Sequence, residues 1–198
     1  MKISTQSIKE LREETGAGIL DAKKALETSD GDYDKALMHL REKGLLQVAK
    51  HEEREAKEGL VEVYGHHDGR VGVMLELNCE TDFVARNQRF QELAHDLALH
   101  IAAMQPSYVS REEVPQTIIA EKEAAFREQT LQEGKPESIV ERITAGRMEK
   151  FYAETVILDQ PFVKDDKLKV QTLIASAVSA LGEKIVLRRF VRYELGAD

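Results

Sequence analysis

The feature that most constrains the fold is a β-hairpin pattern set between helical patterns. Residues 60–79 read LVEVYGHHDGRVGVMLELNC. They form two β-rich runs around Asp68-Gly69, a dipeptide that suits the positive φ angles of a tight hairpin turn. Four apolar residues of the second run alternate along the chain, at Val71, Val73, Leu75 and Leu77. The alternation predicts an antiparallel pair of strands with one buried face.

Helical patterns lie on both sides of this hairpin. Residues 1 to 45 read as three short helices, in which Ser7 and Glu10 suggest a capping box and Gly44 a carboxyl-terminal stop. Two more helices are predicted at about 111–133 and 137–157. Two further helices are indicated by apolar residues at three-and-four spacing: Phe90, Leu93, Ala94, Leu97, Ala98 and Ile101 in one, and Val170, Leu173, Ile174, Ala177, Val178 and Leu181 in the other.

The last segment, KIVLRRFVRYEL, reads as a third strand. Its pattern places Ile185, Leu187, Val191, Tyr193 and Leu195 on one side, with Arg189 interrupting that face. The predicted fold class is therefore α+β: a small three-stranded antiparallel sheet covered by helices, behind an N-terminal three-helix module. We predict a docking module at 1–45, a charged and partly helical linker at 46–58 and an α+β core at 59–198.

Composition narrows the classes of partner. The chain has 198 residues, 42% hydrophobic and 32% charged, with a net charge of −8. An acidic chain is poorly suited to broad nucleic-acid binding or to anionic membrane surfaces. The single cysteine, Cys79, together with the lack of a signal core or a long apolar run, favours the cytoplasm. A discrete protein partner or a small molecule is the expected ligand.

Motifs for enzyme chemistry or metal binding are not recognisable. No phosphate-binding loop of the GxxxxGK type occurs. Carboxylates in DGDYD, residues 30–34, have the spacing of a calcium loop, but Lys35 and Arg41 occupy the positions where that loop needs glycine and glutamate. We interpret this stretch as a capped helix start at Asp32.

The histidines and the cysteine also suggest no catalytic group. His66 and His67 would point to opposite faces of a strand, and His95 and His100 do not share a helical face. Exposed hairpin and helix positions are the favoured reading for these histidines, and Cys79 reads as a buried, inert thiol. We expect no catalytic residues, no metal and no cofactor, and hence a protein that is not an enzyme.

The connector NCETDFVARN, Asn78 to Asn87, carries an aromatic side chain where connectors are usually polar. Phe83 has two readings. Most aromatics belong to a core, so on pattern alone an inward Phe83, ahead of a helix capped by Asn87, is favoured. Alternatively, Phe83 points outward beside Asp82 and acts as an anchor for a partner.

Four stretches together resemble one known family, that of elongation factor Ts, the nucleotide-exchange factors for elongation factor Tu. They are NCETDFVARN, IKELREETGAGILDAKKAL with its continuation GDYDKALMHLREKG, AGRMEKF at 145–151 and DQPFV at 159–163. The resemblance covers nearly the whole chain in the expected order. It implies that Phe83 points outward. The three-helix module by itself also resembles ubiquitin-associated-type folds.

The resemblance also implies a function, guanine-nucleotide exchange on elongation factor Tu, and a set of partner-binding residues. These are Thr81, Asp82, Phe83 and Val84 in the connector, Arg12, Ile19 and Leu20 in the first module, and His66 in the hairpin. Longer family members have two core subdomains, whereas one unit is missing here, so we expect a symmetric homodimer through the core. A general adaptor without exchange activity is an alternative, and a small hydrolase using Cys79 or a histidine is a third.

Overall fold

The computed structural model describes residues 3–66 and 69–197. Asp68, the first residue of the predicted turn dipeptide, and His67 lie outside the described residues. Gly69 has a φ of 71°, in the left-handed region that favours glycine.

The predicted helices and strands occur in the expected order along the chain, together with a short helix and a small hairpin that were not predicted. They are α1 (Thr5–Thr15), α2 (Ile19–Thr28), α3 (Tyr33–Lys50), β1 (Glu58–Gly65), β2 (Val71–Cys79), α4 (Asp82–Ala85), α5 (Gln88–Met104), α6 (Gln116–Gln132), α7 (Glu137–Thr155), β3 (Pro161–Phe162), β4 (Asp165–Lys169), α8 (Val170–Leu181) and β5 (Val186–Glu194). Short 3₁₀ turns lie at Arg111–Glu113 and Ile157–Asp159. Among the described residues, no helix is both long and apolar enough to span a membrane.

The chain forms two compact units. The first comprises residues 1–99 together with 171–198, and the second comprises residues 100–170. The first contains the three amino-terminal helices and the strands β1, β2 and β5. The second contains α6, α7 and the hairpin of β3 and β4.

Three helices open the first unit, as predicted. Their buried residues are small or medium-sized, which lets short helices pack closely: Leu11, Ala17, Ala22, Ala25, Leu26, Ala36 and Leu40. The predicted capping box is wrong, because α1 begins one turn earlier and the Ser4 hydroxyl accepts the hydrogen bond from the Ser7 backbone N–H. The Asp32 cap is confirmed, since its carboxylate accepts from the Lys35 N–H at 3.1 Å.

Gly44 does not stop α3, which continues to Lys50. The residue is buried in the helix, and a Cβ there would lie 3.3 Å from the Ala175 carbonyl oxygen of α8. The missing side chain therefore permits a close approach of α3 and α8, and a sequence pattern cannot separate this use of glycine from a stop. The domain boundary at residue 45 stays a prediction.

The three-stranded sheet has the order β1-β2-β5, with both pairs antiparallel. Val73, Leu75 and Leu77 are buried, as the alternation predicts, whereas Val71 at the start of β2 is half-buried. The α+β class, with a three-helix amino-terminal module and a small antiparallel sheet, is confirmed.

The predicted face of β5 is wrong because the strand contains a β-bulge. Leu187 pairs with Leu77, but Arg189 pairs with Glu76, so β5 has one extra residue at this point. A bulge reverses which side chains face inward beyond it. Ile185 and Leu187 are buried, whereas Val191, Tyr193 and Leu195 are exposed.

The second unit contains buried hydrogen bonds around His100 and a set of ion pairs around Arg111. His100 is fully buried, which corrects the prediction of an exposed histidine. Its Nε2 lies 2.9 Å from Gln160 Oε1, and its Nδ1 accepts from the Val163 N–H. The Arg111 guanidinium donates to the carboxylates of Asp159 and Glu149. The small β3–β4 hairpin was not predicted.

Candidate partner-binding site

Phe83 lies on a single helical turn, α4, that directly follows β2. Its side chain is 80% exposed, and none of the residues of α4 is buried. An exposed phenylalanine on a short, shape-defined turn is suited to insertion into a pocket of another molecule. The core reading of Phe83 is therefore wrong, and the outward orientation is the one observed.

The neighbours of Phe83 set the start of this turn. Thr81 is the N-cap of α4, where its hydroxyl accepts from the Val84 N–H at 3.4 Å. Asp82 forms an ion pair with Arg86 across one turn at 2.8 Å. Val84 is half-buried. The predicted quartet, residues 81–84, is thus one contiguous surface turn with its own cap.

A residue that no sequence pattern indicates, Glu183, binds this turn from a distant part of the chain. Glu183 Oε2 accepts from the backbone N–H groups of Glu80 and Thr81, at 3.1 and 3.0 Å, and its Oε1 accepts from the Thr81 hydroxyl at 2.6 Å. The contact spans more than one hundred positions, so no local motif could reveal it. Only pairing of β2 with β5 brings the two segments together.

Cys79 lies beneath the turn and is buried, as predicted. Its Sγ donates to the Thr81 carbonyl oxygen at 3.1 Å. Burial, together with the Glu183 carboxylate, raises the pKa of the thiol to about 11. The side chain at neutral pH is therefore a protonated thiol that contributes packing.

A second exposed group lies in the amino-terminal helices. Leu20 and Ile19, the first residues of α2, are 78% and 61% exposed, so neither belongs to the helical core. Arg12 is exposed in the last turn of α1, and its carbonyl accepts from Gly16, which ends the helix with a φ of 68°. These three residues flank the turn between α1 and α2.

His66 is not close to Phe83 along the sheet. It follows β1 at the turn, where its N–H donates to the Val71 carbonyl oxygen, and its ring contacts the Tyr64 hydroxyl at 3.1 Å. Phe83 follows the other end of β2. With about 3.4 Å per residue in an antiparallel strand, the eight steps along the nine residues of β2 separate its two ends by roughly 27 Å.

The described residues contain no cluster of three or more histidine, cysteine or acidic side chains that could hold a metal ion. The exposed apolar side chains of Phe83, Ile19 and Leu20, together with the cation Arg12, are suited to contact with another protein surface. The arrangement is therefore a candidate protein-docking site.

Comparisons with known proteins agree on one class, the elongation factors of translation. The family model described as "Elongation factor TS" matches residues 3–197. Among curated proteins, the chain is similar to elongation factor Ts of Moorella thermoacetica, with 53% identity over 98% of this chain and 96% of that protein. It is also similar to elongation factor Ts of Herpetosiphon aurantiacus, with 52% identity over the full length of both, and of Thermodesulfovibrio yellowstonii, with 51% identity over 99% and 98%.

The chain belongs to the elongation factor Ts family.

Proposed function

We propose that this protein accelerates the release of GDP from elongation factor Tu and thereby its exchange for GTP. The observation that carries the proposal is the 80% exposed Phe83 on the capped turn after β2. In this proposal the Phe83 ring enters a pocket of elongation factor Tu and displaces a helix beside the Mg²⁺ and phosphate site. Thr81, Asp82 and Val84 set the position of the ring.

The mechanism needs no covalent step, no metal and no cofactor of this chain, so we propose that the protein is not an enzyme. Mg²⁺ requires near-ideal octahedral geometry, and a small displacement of its surroundings weakens both the metal and the nucleotide. Each 1.4 kcal/mol of strain transmitted to that site lowers nucleotide affinity about tenfold.

Docking and displacement are assigned to different parts of the surface. Ile19 and Leu20 supply an exposed apolar step and Arg12 a cation for contact with the nucleotide-binding domain of elongation factor Tu. His66, at the far end of the hairpin, contacts another domain of the same partner. A partner that reaches all of these groups is held at several points, which fixes the entry angle of Phe83.

Thermodynamic linkage sets the direction of the effect. If this protein lowers the affinity of elongation factor Tu for GDP by some factor, then GDP lowers the affinity for this protein by the same factor. Rising nucleotide concentration therefore releases the factor. The net charge of −8 contributes to encounter rates with a partner of opposite surface charge.

We also propose a homodimer in the cytoplasm. The face of the sheet opposite Val73 and Leu75 carries a row of exposed apolar side chains on all three strands: Val61, Val63, Met74, Val191 and Tyr193. A large exposed apolar patch is the usual mark of an interaction surface. A second copy of the chain supplies the matching apolar face and makes up the paired core of longer relatives.

The test measures release of a fluorescent GDP analogue from elongation factor Tu in excess unlabelled GDP. The wild-type protein is expected to give an acceleration that saturates with its concentration. Phe83→Ala is expected to retain the wild-type melting temperature and to slow the saturated rate about tenfold or more, since interface hot spots contribute about 2 kcal/mol and upward. Leu131→Ala, which shortens an exposed apolar side chain in the second unit, is the matched control and is expected to keep the full rate.

Full activity of Phe83→Ala would exclude insertion of the Phe83 ring from the mechanism. Binding of the wild-type protein to elongation factor Tu without any acceleration of GDP release would contradict exchange and favour an adaptor.

A further inference from the structure

Two carboxylates exchange hydrogen bonds between the segment before α4 and the segment before β5. Glu183 accepts from the N–H groups of Glu80 and Thr81, while Glu80 Oε1 accepts from the Lys184 N–H at 2.6 Å. Each side chain therefore binds the backbone of the opposite segment. We call these two carboxylates and the three N–H groups the carboxylate clamp.

The clamp continues the sheet beyond its last ladder pair. Asn78 and Val186 are the last paired residues of β2 and β5, and the clamp joins residues two and three positions beyond them. Side-chain oxygens thus take the place of the carbonyl groups that a longer ladder would supply. Glu80 is ionised for this contact, because the Lys184 N–H and the Arg54 guanidinium lower the pKa of its carboxyl group.

Helix α4 has no fully buried side chain, so hydrogen bonds at its start contribute to holding it in place. Its N-cap hydroxyl, from Thr81, has one proton. Because the hydroxyl donates this proton in a hydrogen bond to Glu183 Oε1, with 2.6 Å between the two oxygens, its lone pairs remain for the Val84 N–H. Glu183 therefore sets the direction of the cap and with it the orientation of the turn that carries Phe83.

The same cluster reaches the end of α3. The Lys184 ammonium donates to the carbonyl oxygens of Glu52 and Arg54, and the Arg54 guanidinium donates to Glu80 at 3.2 Å. The segment that follows the amino-terminal helices is thus tied to the same point as the turn of Phe83.

We propose that Glu183 is a positioning residue for nucleotide exchange: it holds the turn of α4 so that the Phe83 ring enters the partner in one fixed direction. The proposal rests on the exchange function given above. It predicts that loss of the Glu183 carboxylate weakens the displacement step more than it weakens binding, because Arg12, Ile19 and Leu20 still dock. Preorganised groups act by avoiding the ordering cost at the moment of binding.

The first experiment uses the isolated protein and does not depend on exchange activity. Amide hydrogen exchange is measured by NMR for wild type, Glu183→Ala and Glu183→Gln. The amides of Thr81 and Val84 are expected to exchange about tenfold faster or more in Glu183→Ala, since each loses a hydrogen bond that the charged carboxylate makes or directs. The Leu75 amide in β2 is expected to be unchanged, and unchanged protection of Thr81 would overturn the clamp.

The second experiment compares saturated GDP-release rates from elongation factor Tu. Glu183→Ala is expected to be about tenfold slower than wild type, with a dissociation constant of the complex within about threefold. Glu183→Gln, which keeps one acceptor oxygen, is expected to fall between the two. Glu123→Ala removes one exposed carboxylate from α6 and is the charge-matched control, expected to keep the wild-type rate.

A double variant separates positioning from a merely structural role. If Glu183 acts through Phe83, adding Glu183→Ala to Phe83→Ala costs no further activity, whereas independent effects multiply. Multiplied losses, or an undiminished rate in Glu183→Ala, would overturn the proposal. If wild type itself fails to accelerate GDP release while Thr81 loses protection in Glu183→Ala, the exchange function fails and the clamp remains.

Discussion

The Phe83 side chain is exposed in the free protein, so the free energy of burying it can be gained on binding to a partner. Full burial of a phenylalanine side chain contributes about 1.5–3 kcal/mol. A ring that is 80% exposed obtains little of this from its own fold, so the remainder is available to a partner. The same reasoning explains why Phe83→Ala is expected to leave the stability of the free protein unchanged.

The sequence predicted the location of this group and could not predict its orientation. Apolar content alone favours a core position for Phe83, and only the resemblance to a family indicated the outward one. The direction of a side chain on a four-residue turn depends on caps supplied from elsewhere. Here one of them, Glu183, comes from a segment that carries no recognisable motif.

His100 is expected to make the second unit acid-sensitive. Burial lowers its pKa below the ordinary value of 6.5. As pH falls through 6.5, His100 takes up a proton in the unfolded chain but not in the folded chain. The free energy of unfolding is therefore at its full value above that pH and declines below it. The slope approaches about 1.4 kcal/mol per pH unit.

The measurement is urea denaturation of wild type, His100→Gln and His95→Gln between about pH 7.5 and 5.5, on either side of the ordinary histidine pKa. The decline is expected to disappear in His100→Gln, which has no titrating group there, and to persist in His95→Gln, where an exposed histidine is removed. The carboxyl groups of Asp159 and Glu149 have lowered pKa values. The stability that these two groups contribute to the fold is therefore lost only at lower pH. An equal decline in all three proteins would contradict this assignment.

At the scale of elements, the contact of α3 with α8 depends on an absent side chain. Gly44→Val is expected to lower the free energy of unfolding by about 1–3 kcal/mol, because its Cβ would meet the Ala175 backbone at 3.3 Å. Gly146→Val is the matched control, since a Cβ on this helical glycine of α7 would meet no described atom of another element within 4 Å. Thermal unfolding followed by circular dichroism checks both variants.

Gly146→Val is expected to hold or slightly raise the melting temperature, because valine has a better helix propensity than glycine. A similar fall in both variants would mean that Gly44 has no special contact with α8.

Elements with regular patterns were predictable, and irregular ones were not. The alternation in β2 identified its buried face because burial follows a period of two from Val73 to Leu77. In β5 the same reasoning failed after Leu187, because one extra residue reverses which side chains face inward. The amino-acid pattern of the strand does not reveal this extra residue. Likewise, glycine serves both as a helix stop and as a site of close helix packing, so the sequence pattern could not show which role Gly44 has.

At the scale of the whole molecule, the exposed apolar face of the sheet predicts self-association. Light scattering is expected to give a mass of two copies of the 22.4 kDa chain. Val63→Glu is expected to give a monomer, because a carboxylate buried between two sheets would remain unpaired. Leu131→Glu, an equal change on α6, is expected to remain dimeric.

A wild-type monomer at micromolar concentration would contradict the dimer. A dimer that persists in Val63→Glu would place the contact on another surface.

The carboxylate clamp also orders events during synthesis. The partners of its hydrogen bonds are 102 to 104 positions apart, so a ribosome completes residues 80–85 long before it adds Glu183 and Lys184. Contacts of such long range form late, because the loop between them must close first. A growing chain thus fixes the direction of Phe83 only after the later segment has folded onto it.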